Sequence, residues 1–184
     1  MLTIIPTSLP GVSIIERRPI TDERGYFERV FCSEELRDAG WPSPVAQINH
    51  TYTAKRGGVR GLHFQHPPHA EVKIVTCLRG HVFDVALDLR RGSATFLKSV
   101  AVELSAGVPR SLLIPEGFAH GFQTLSDDAE LLYFHSAPHA AAAADGVNPF
   151  EPRAAIAWPL EVAALSDNDR NRPMLTADYE GITL

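Results

Sequence analysis

The chain of 184 residues has few cysteines, no basic cluster and no long apolar run, and each shortage closes off a class of function. Its two cysteines, Cys32 and Cys77, lie far apart and form no Cys-x-x-Cys pair, so a disulfide framework and a thiol-based metal knuckle are both excluded. Cys77 falls in the apolar run VKIVTCL and is expected to be an inert buried thiol. Seventeen basic residues stand against 22 acidic ones, a net charge of -5. The segment RGGVRG is too short to make a basic surface, so no nucleic-acid partner is expected. No stretch approaches the roughly 20 apolar residues of a membrane span. The N-terminal segment lacks a basic lead, and Pro6 and Pro10 interrupt its apolar residues, which argues against a secretory signal. A cytoplasmic chain with no membrane partner is the expectation.

What is present is a globular composition, 45% hydrophobic and 21% charged, on a length that suits a single domain over residues 1–184. Strand signals dominate. VSIIERR, VAQINHTYT, GVRGLHFQ, EVKIVTCL, HVFDVALDL, FLKSVAVEL, RSLLIP, AHGFQTL and AELLYFHSA are short, rich in β-branched or aromatic residues, and separated by Gly, Pro, Ser or Asp about every ten residues. That spacing predicts an all-β sandwich or barrel. DERGYFERVF reads as a turn running into a strand. Arg79-Gly80 reads as a tight hairpin turn between EVKIVTCL and HVFDVALDL. SEELRDAGW predicts one short helix near residues 33–39, with Ser33 as N-cap and Gly40 as the stop. From about residue 138 prolines, turn residues and an alanine run predict an irregular C-terminal wrap, with a helical turn at the alanines.

The segment RGLHFQHPPHAEVK (60–73) gathers three histidines, a glutamate and a lysine. Strand alternation puts His63 and Gln65 on one side and His66 on the other, and Pro67 and Pro68 then break the strand, leaving His66 and His69 as turn residues. A second segment, PEGFAHGF (115–122), ends its Pro-x-Gly-x-x-His pattern at His120. The two segments together resemble the paired motifs of the cupin superfamily, a double-sheet jelly roll. Metal-binding cupins carry His-x-His in the first motif. Here it reads His63-Phe64-Gln65, and Gln replaces imidazole poorly at a transition-metal site. A metal-dependent cupin using His63, Glu71 and His120 is the competing reading.

RGLHFQ, VFDVALDLR, PEGFAHGF and LLY, with DERGYFE, QINHT, IAWPL and LSDND, resemble in order the dTDP-4-dehydrorhamnose 3,5-epimerase family over about residues 10–175. The resemblance implies a metal-free, cofactor-free cupin fold that inverts carbons 3 and 5 of a dTDP-4-keto-6-deoxy-hexose. Relatives that invert carbon 3 alone share its catalytic residues. It implies His63 as base, Asp169 as the carboxylate behind it (with Asp167 in competition and Asp84 as a further carboxylate), Lys73 facing the enolate oxygen, and Tyr133 as acid. It also implies substrate contacts at Arg24, Phe27, Glu28, Gln47, Asn49, Arg60 and His120, and a homodimer whose N-terminal strand crosses to the partner. His139 stands where the family carries a base-stacking tyrosine. A non-catalytic sugar-nucleotide binder is the third alternative.

Overall fold

The computed structural model describes residues 1–42 and 44–184. Among the described residues, thirteen strands and two one-turn helices follow one another: β1 (Thr3–Pro6), β2 (Ser13–Glu16), β3 (Ile20–Asp22), β4 (Gly25–Phe27), α1 (Ser33–Leu36), β5 (Gln47–Thr53), β6 (Val59–Gln65), β7 (Lys73–Arg79), β8 (His81–Asp88), β9 (Ser99–Ser105), β10 (Arg110–Ile114), β11 (Phe118–Thr124), β12 (Ala129–His135), β13 (Ala144–Gly146) and α2 (Asp167–Arg170). Two antiparallel sheets face each other. One has the order β1-β2-β10-β7-β12-β5 and the other β13-β6-β11-β8-β9, while β3 and β4 pair only with each other. This is the jelly roll that the strand spacing and the paired motifs led us to expect.

Strand alternation explains why three apolar clusters form instead of one. Val75, Cys77, Val82, Ala86, Leu104, Leu112, Phe122 and Leu131 fill the space between the sheets. The other face of β8, with Val85 and Leu87, is apolar too, as is Leu89 just past its end, and the C-terminal wrap covers them with Val147, Ala154, Ile156 and Trp158. The outer face of the six-stranded sheet, with Ile74, Leu113 and Phe134, lies under Leu2, Leu36 and Trp41. Strands buried on both faces read as near-continuous apolar runs, as EVKIVTCL does. A fully buried Leu or Ile contributes about 1.5–3 kcal/mol, so both outer covers are structural parts of the fold. Cys77 is buried between the sheets, and burial pushes its thiol up to about 11, which makes it unreactive.

Three local expectations are corrected. Arg79-Gly80 does not close a hairpin: β7 pairs with β10 and β12, whereas β8 pairs with β9 and β11 in the opposite sheet. Gly80, at φ +76, turns the chain from one sheet to the other, and a Cβ there would lie 2.6 Å from Ser126 Oγ. The first helix is one turn long, and Cys32, not Ser33, is its N-cap, with extended φ and no side-chain cap bond. It stops early because the Trp41 N–H returns to the Leu36 carbonyl at 3.0 Å, which tucks both buried side chains onto the sheet. Gly40, at φ +99, lies in the turn beyond the helix, whose C-cap is Arg37, so it is not the expected stop. The third correction lies in the tail. The alanines do make the expected helical turn, with the Ala144 N–H on the Ala140 carbonyl at 3.0 Å, but the wrap is not wholly irregular: β13 follows, and LSDND leads into α2, where the Ser166 hydroxyl accepts the Asp169 N–H at 3.1 Å.

Candidate active site

A cavity of about 670 Å³ opens between the sheets toward the β5 and β6 side, with Asn49, Arg60, His63, Lys73, His120, Tyr133, His139 and Asp169 among its lining residues. This size suits a small-molecule ligand. His63 and Arg60 enter it from β6 although they are three residues apart and strict alternation would oppose them. The cause is a β-bulge: His120 pairs with His63 and Phe122 with Arg60, so three residues of β6 are spanned by two of β11. The bulge needs two glycines in contact. Gly61, at φ +120, would drive a Cβ to 2.6 Å from Gly121 Cα, and a Cβ on Gly121 would meet the Arg60 carbonyl at 2.7 Å.

His63 donates from Nε2 to Asp169 Oδ1 at 2.6 Å, which leaves Nδ1 as the bare nitrogen of a neutral ring. The other Asp169 oxygen accepts the Gly61 N–H at 3.5 Å. Withdrawal from water in the pocket lowers the His63 pKa; Asp169 pulls it back up, while Arg172 and Lys73 lower it further. The net direction is down, so the imidazole is available as a base. α2 decides between the two candidate aspartates: it buries Asp169 and leaves Asp167 exposed.

Across the cavity, Tyr133 rises from β12 with only 8% of its surface exposed. Burial, and then the negative charge of Asp84, raises its pKa, so the phenol keeps its proton. Asp84 is fully buried and accepts a 2.8 Å hydrogen bond from His120 Nε2, and the His120 ring meets the Tyr133 ring edge-on at 5.8 Å. Lys73 on β7 is 5% exposed and lies 3.0 Å from Glu71 Oε1. Arg60 is clamped to Thr53 Oγ1 and the Tyr52 carbonyl, both at 3.0 Å, at the cavity mouth. The His139 side chain is exposed at the rim, and its backbone N–H donates to Gln47 Oε1 at 2.9 Å.

Gln65, in the place of a cupin's second histidine, acts as a strut. It donates to the His69 and Pro138 carbonyls and accepts the Ala140 N–H at 2.6 Å. The competing metal set does not converge: His63 is held by Asp169, His120 by Asp84, and Glu71 by Lys73 and His135. Among the described residues no three His, Cys, Asp or Glu side chains stand together as metal ligands. His66 turns to the opposite side from His63, edge-on to Phe64, and bonds Asp145 at 3.1 Å; His69 is exposed in the turn.

Arg24, Phe27 and Glu28 are not brought to this cavity. Arg24 lies at the tip of the β3–β4 hairpin, paired with Asp22 and 84% exposed, and Phe27 is 73% exposed. Glu28 binds the buried Arg17 at 3.0 Å. Among the described residues the two strands of this hairpin pair with each other and belong to neither large sheet. Arg172 and His135 are among the lining residues that escaped the sequence reading. Arg172 comes to 3.9 Å from Asp169 and is held by Asp145 at 3.0 Å. His135 donates from Nδ1 to Glu71 Oε2 at 2.9 Å. His135 was detectable by its shared strand face with Tyr133, whereas Arg172 sits in a tail without periodicity.

A jelly roll with a neutral histidine bonded to an aspartate on one side of the cavity and a protonated tyrosine on the other defines a cupin-type protein whose pocket suits acid–base chemistry. The chain belongs to the dTDP-4-dehydrorhamnose 3,5-epimerase family, whose model matches residues 6–177. It is 42% identical over 180 residues to the dTDP-4-dehydrorhamnose 3,5-epimerase of Shigella flexneri, covering 97% of this chain and 99% of that one. It superposes with TM-score 0.91 and 36% identity on the crystal structure of that enzyme from Bacillus anthracis with TDP and PPi bound, covering 95% of this chain and 100% of the other. It is also 37% identical, over 96% of its length and 91% of the relative's, to a dTDP-4-dehydro-6-deoxyglucose 3-epimerase of Streptomyces bikiniensis.

Proposed function

We propose that this chain, acting as one catalytic unit over residues 1–184, is an isomerase that converts dTDP-4-dehydro-6-deoxyglucose to dTDP-4-dehydrorhamnose by inverting carbons 3 and 5, without a metal or cofactor. The observation that carries the reading is the facing of His63 and Tyr133 from opposite sheets. Inversion beside a ketone requires removal of a proton on one face and return of a proton on the other.

In this reading His63 Nδ1 takes the α-proton, and the imidazolium so formed is stabilised by Asp169 through Nε2. The C–H electron pair moves into the ring, and the carbonyl oxygen takes up negative charge facing the Lys73 ammonium. The Tyr133 phenol then gives its proton to the opposite face of the carbon, and solvent exchange through the cavity mouth resets both groups. Arg60 supplies a planar cation for the diphosphate. Asn49, Gln47 and His120 line or buttress the sugar end, and the His139 ring offers a face for the base.

The β3–β4 hairpin, with Ile20, Tyr26 and Phe27 each about 70% exposed, suits a homodimer in which Arg24, Phe27 and Glu28 serve the neighbour's cavity; sedimentation of the wild type against an Arg24→Ala, Phe27→Ala chain tests this. Two free thiols suit the reducing cytoplasm. No helix among the described residues is long and apolar enough to cross a membrane.

The deciding experiment is proton NMR of dTDP-4-keto-6-deoxyglucose with the protein in deuterated water, with and without chelator. Deuterium at carbons 3 and 5, indifferent to chelator, is the expected result. Deuterium at carbon 3 alone moves the chain to the 3-epimerase activity of its Streptomyces relative. No exchange at either carbon refutes the proposal.

A further inference from the structure

Glu71 and His135 sit on the cavity floor, and the base, the acid and the enolate partner leave both without a task. Their surroundings decide the protonation of every group in a row. Register sets Gln47 beside His135 and His135 beside Lys73 across β5, β12 and β7. The His139 backbone N–H is a donor that cannot be reversed, and it points at Gln47, so the Gln47 oxygen must face it, at 2.9 Å. The Gln47 amide nitrogen then donates to Asn49 Oδ1 at 3.0 Å. That leaves the Asn49 amide nitrogen toward His135 Nε2 at 3.4 Å. A donor facing Nε2 requires a bare nitrogen there, and the ring proton goes to Nδ1, which donates to Glu71 Oε2 at 2.9 Å. The second Glu71 oxygen faces Lys73 Nζ at 3.0 Å.

We infer that Glu71 and His135 are positioning residues: a one-way hydrogen-bond relay from the residue 139 backbone through Gln47, Asn49 and His135 to Glu71 fixes where the Lys73 ammonium stands. Each link has a single allowed direction, so no member can rotate without breaking its neighbour's bond. The Tyr133 ring stacks on His135 at 6.0 Å and 15°, which also locks the imidazole plane. Burial raises the Glu71 pKa, but the bond from His135 and the charge of Lys73 outweigh it and hold the carboxyl at about 2, consistent with a permanent acceptor at the relay's end. An ammonium on a four-carbon stem is otherwise a mobile point charge, and displacement of a catalytic group by about 1 Å costs up to about 100-fold in rate.

The test has a spectroscopic arm and a kinetic arm. Two-bond ¹H–¹⁵N correlation spectra of the uniformly ¹⁵N-labelled full chain at neutral pH report which ring nitrogen of His135 carries the proton. The expected result is protonated Nδ1 and bare Nε2; a proton on Nε2 overturns the relay. Asn49→Asp replaces the donor at Nε2 by an acceptor and is expected to leave His135 with both nitrogens protonated; an unchanged His135 signal overturns the relay. Glu71→Gln keeps the shape and removes the charge. It is expected to lower kcat by about tenfold or more, within the range for a displaced group, with little change in KM. Wild-type kcat in this variant refutes the positioning role, and if it fails to fold, the two spectra still decide. The kinetic arm rests on the epimerase reading, whereas the spectra do not. A wild type that never exchanges the substrate's protons therefore refutes that reading alone.

Discussion

Asp169→Asn is the substitution that separates the two things the aspartate does for His63. The first is electrostatic. The 2.6 Å bond to Nε2 becomes charge-assisted as the ring takes up the substrate proton, and such bonds contribute about 1.5–3 kcal/mol. Losing that contribution in the transition state slows turnover by about 10- to 150-fold. The second is tautomeric. The asparagine oxygen can still accept from Nε2, but its amide can also turn and donate, which moves the ring proton to Nδ1 and removes the base. In the serine protease template the corresponding change costs about 10⁴ in kcat, so a loss between about 10- and 10⁴-fold measures how often the wrong tautomer is present. The sign of the pH effect is also fixed. Asp169 raises the His63 pKa against the lowering by desolvation, so its neutralisation lowers that pKa further and shifts the acid limb of kcat/KM to lower pH. The assay is epimer formation followed by NMR from pH 5 to 9, with deuterium wash-in recorded alongside. An acid limb that moves to higher pH, or a kcat within twofold of wild type, refutes the dyad.

Three further outcomes follow from the same geometry. Tyr133→Phe removes the proton donor but not the base, so deuterium continues to enter carbon 3 while epimerised product falls by about 10²- to 10⁴-fold; equal loss of both signals would show that Tyr133 does not act on the far face. Gly61→Ala pushes a methyl group into Gly121 at a left-handed φ, so urea unfolding should show a loss of about 1–3 kcal/mol together with activity, because the bulge that aligns Arg60 with His63 is lost; an unchanged midpoint would refute the close-contact argument. Stability should also fall steadily from about pH 5 to pH 2. Burial pushes Glu71 and Asp88 up, but His135 and Lys73 outweigh it for Glu71, and bonds from Arg90, Ser93 and Thr95 outweigh it for Asp88, so each is held at about 2. The unfolded chain then binds more protons, with at most ~3 kcal/mol at stake per group. Asp88→Asn should flatten the acid side of the unfolding profile measured by circular dichroism.

The sequence discloses this site to the extent that its chemistry follows strand alternation. His63 with Gln65, Lys73 with Val75 and Cys77, and Leu131 with Tyr133 and His135 share faces in the structure as period two requires. Alternation fails where a partner strand sets the geometry. The Arg60–His63 alignment depends on three residues of β6 facing two of β11, and nothing within RGLHFQ signals it except Gly61, whose Cβ clash is with a residue 60 positions away. The Arg79-Gly80 turn misleads for a related reason: a glycine at φ +76 fits a hairpin or a corner between sheets equally well, and the choice lies with β10 and β12. Asp169 and Asp167 were indistinguishable in LSDND until a single helical turn with a serine cap buried one and exposed the other.

Glu71 shows most sharply what pattern alone misses. Within RGLHFQHPPHAEVK it reads as a possible metal ligand, because three histidines closely precede it in sequence. In space His63 bonds Asp169 and His66 bonds Asp145 instead. The partners of Glu71 are Lys73, two residues on, and His135, 64 residues on and on an adjacent strand. A carboxylate held between an ammonium and a neutral imidazole is spent on fixing those groups. The same clustering of titratable residues that suggests a metal centre in one dimension therefore resolves, in three, into an acid–base pair on facing sheets and a row of side chains that orients the cation between them.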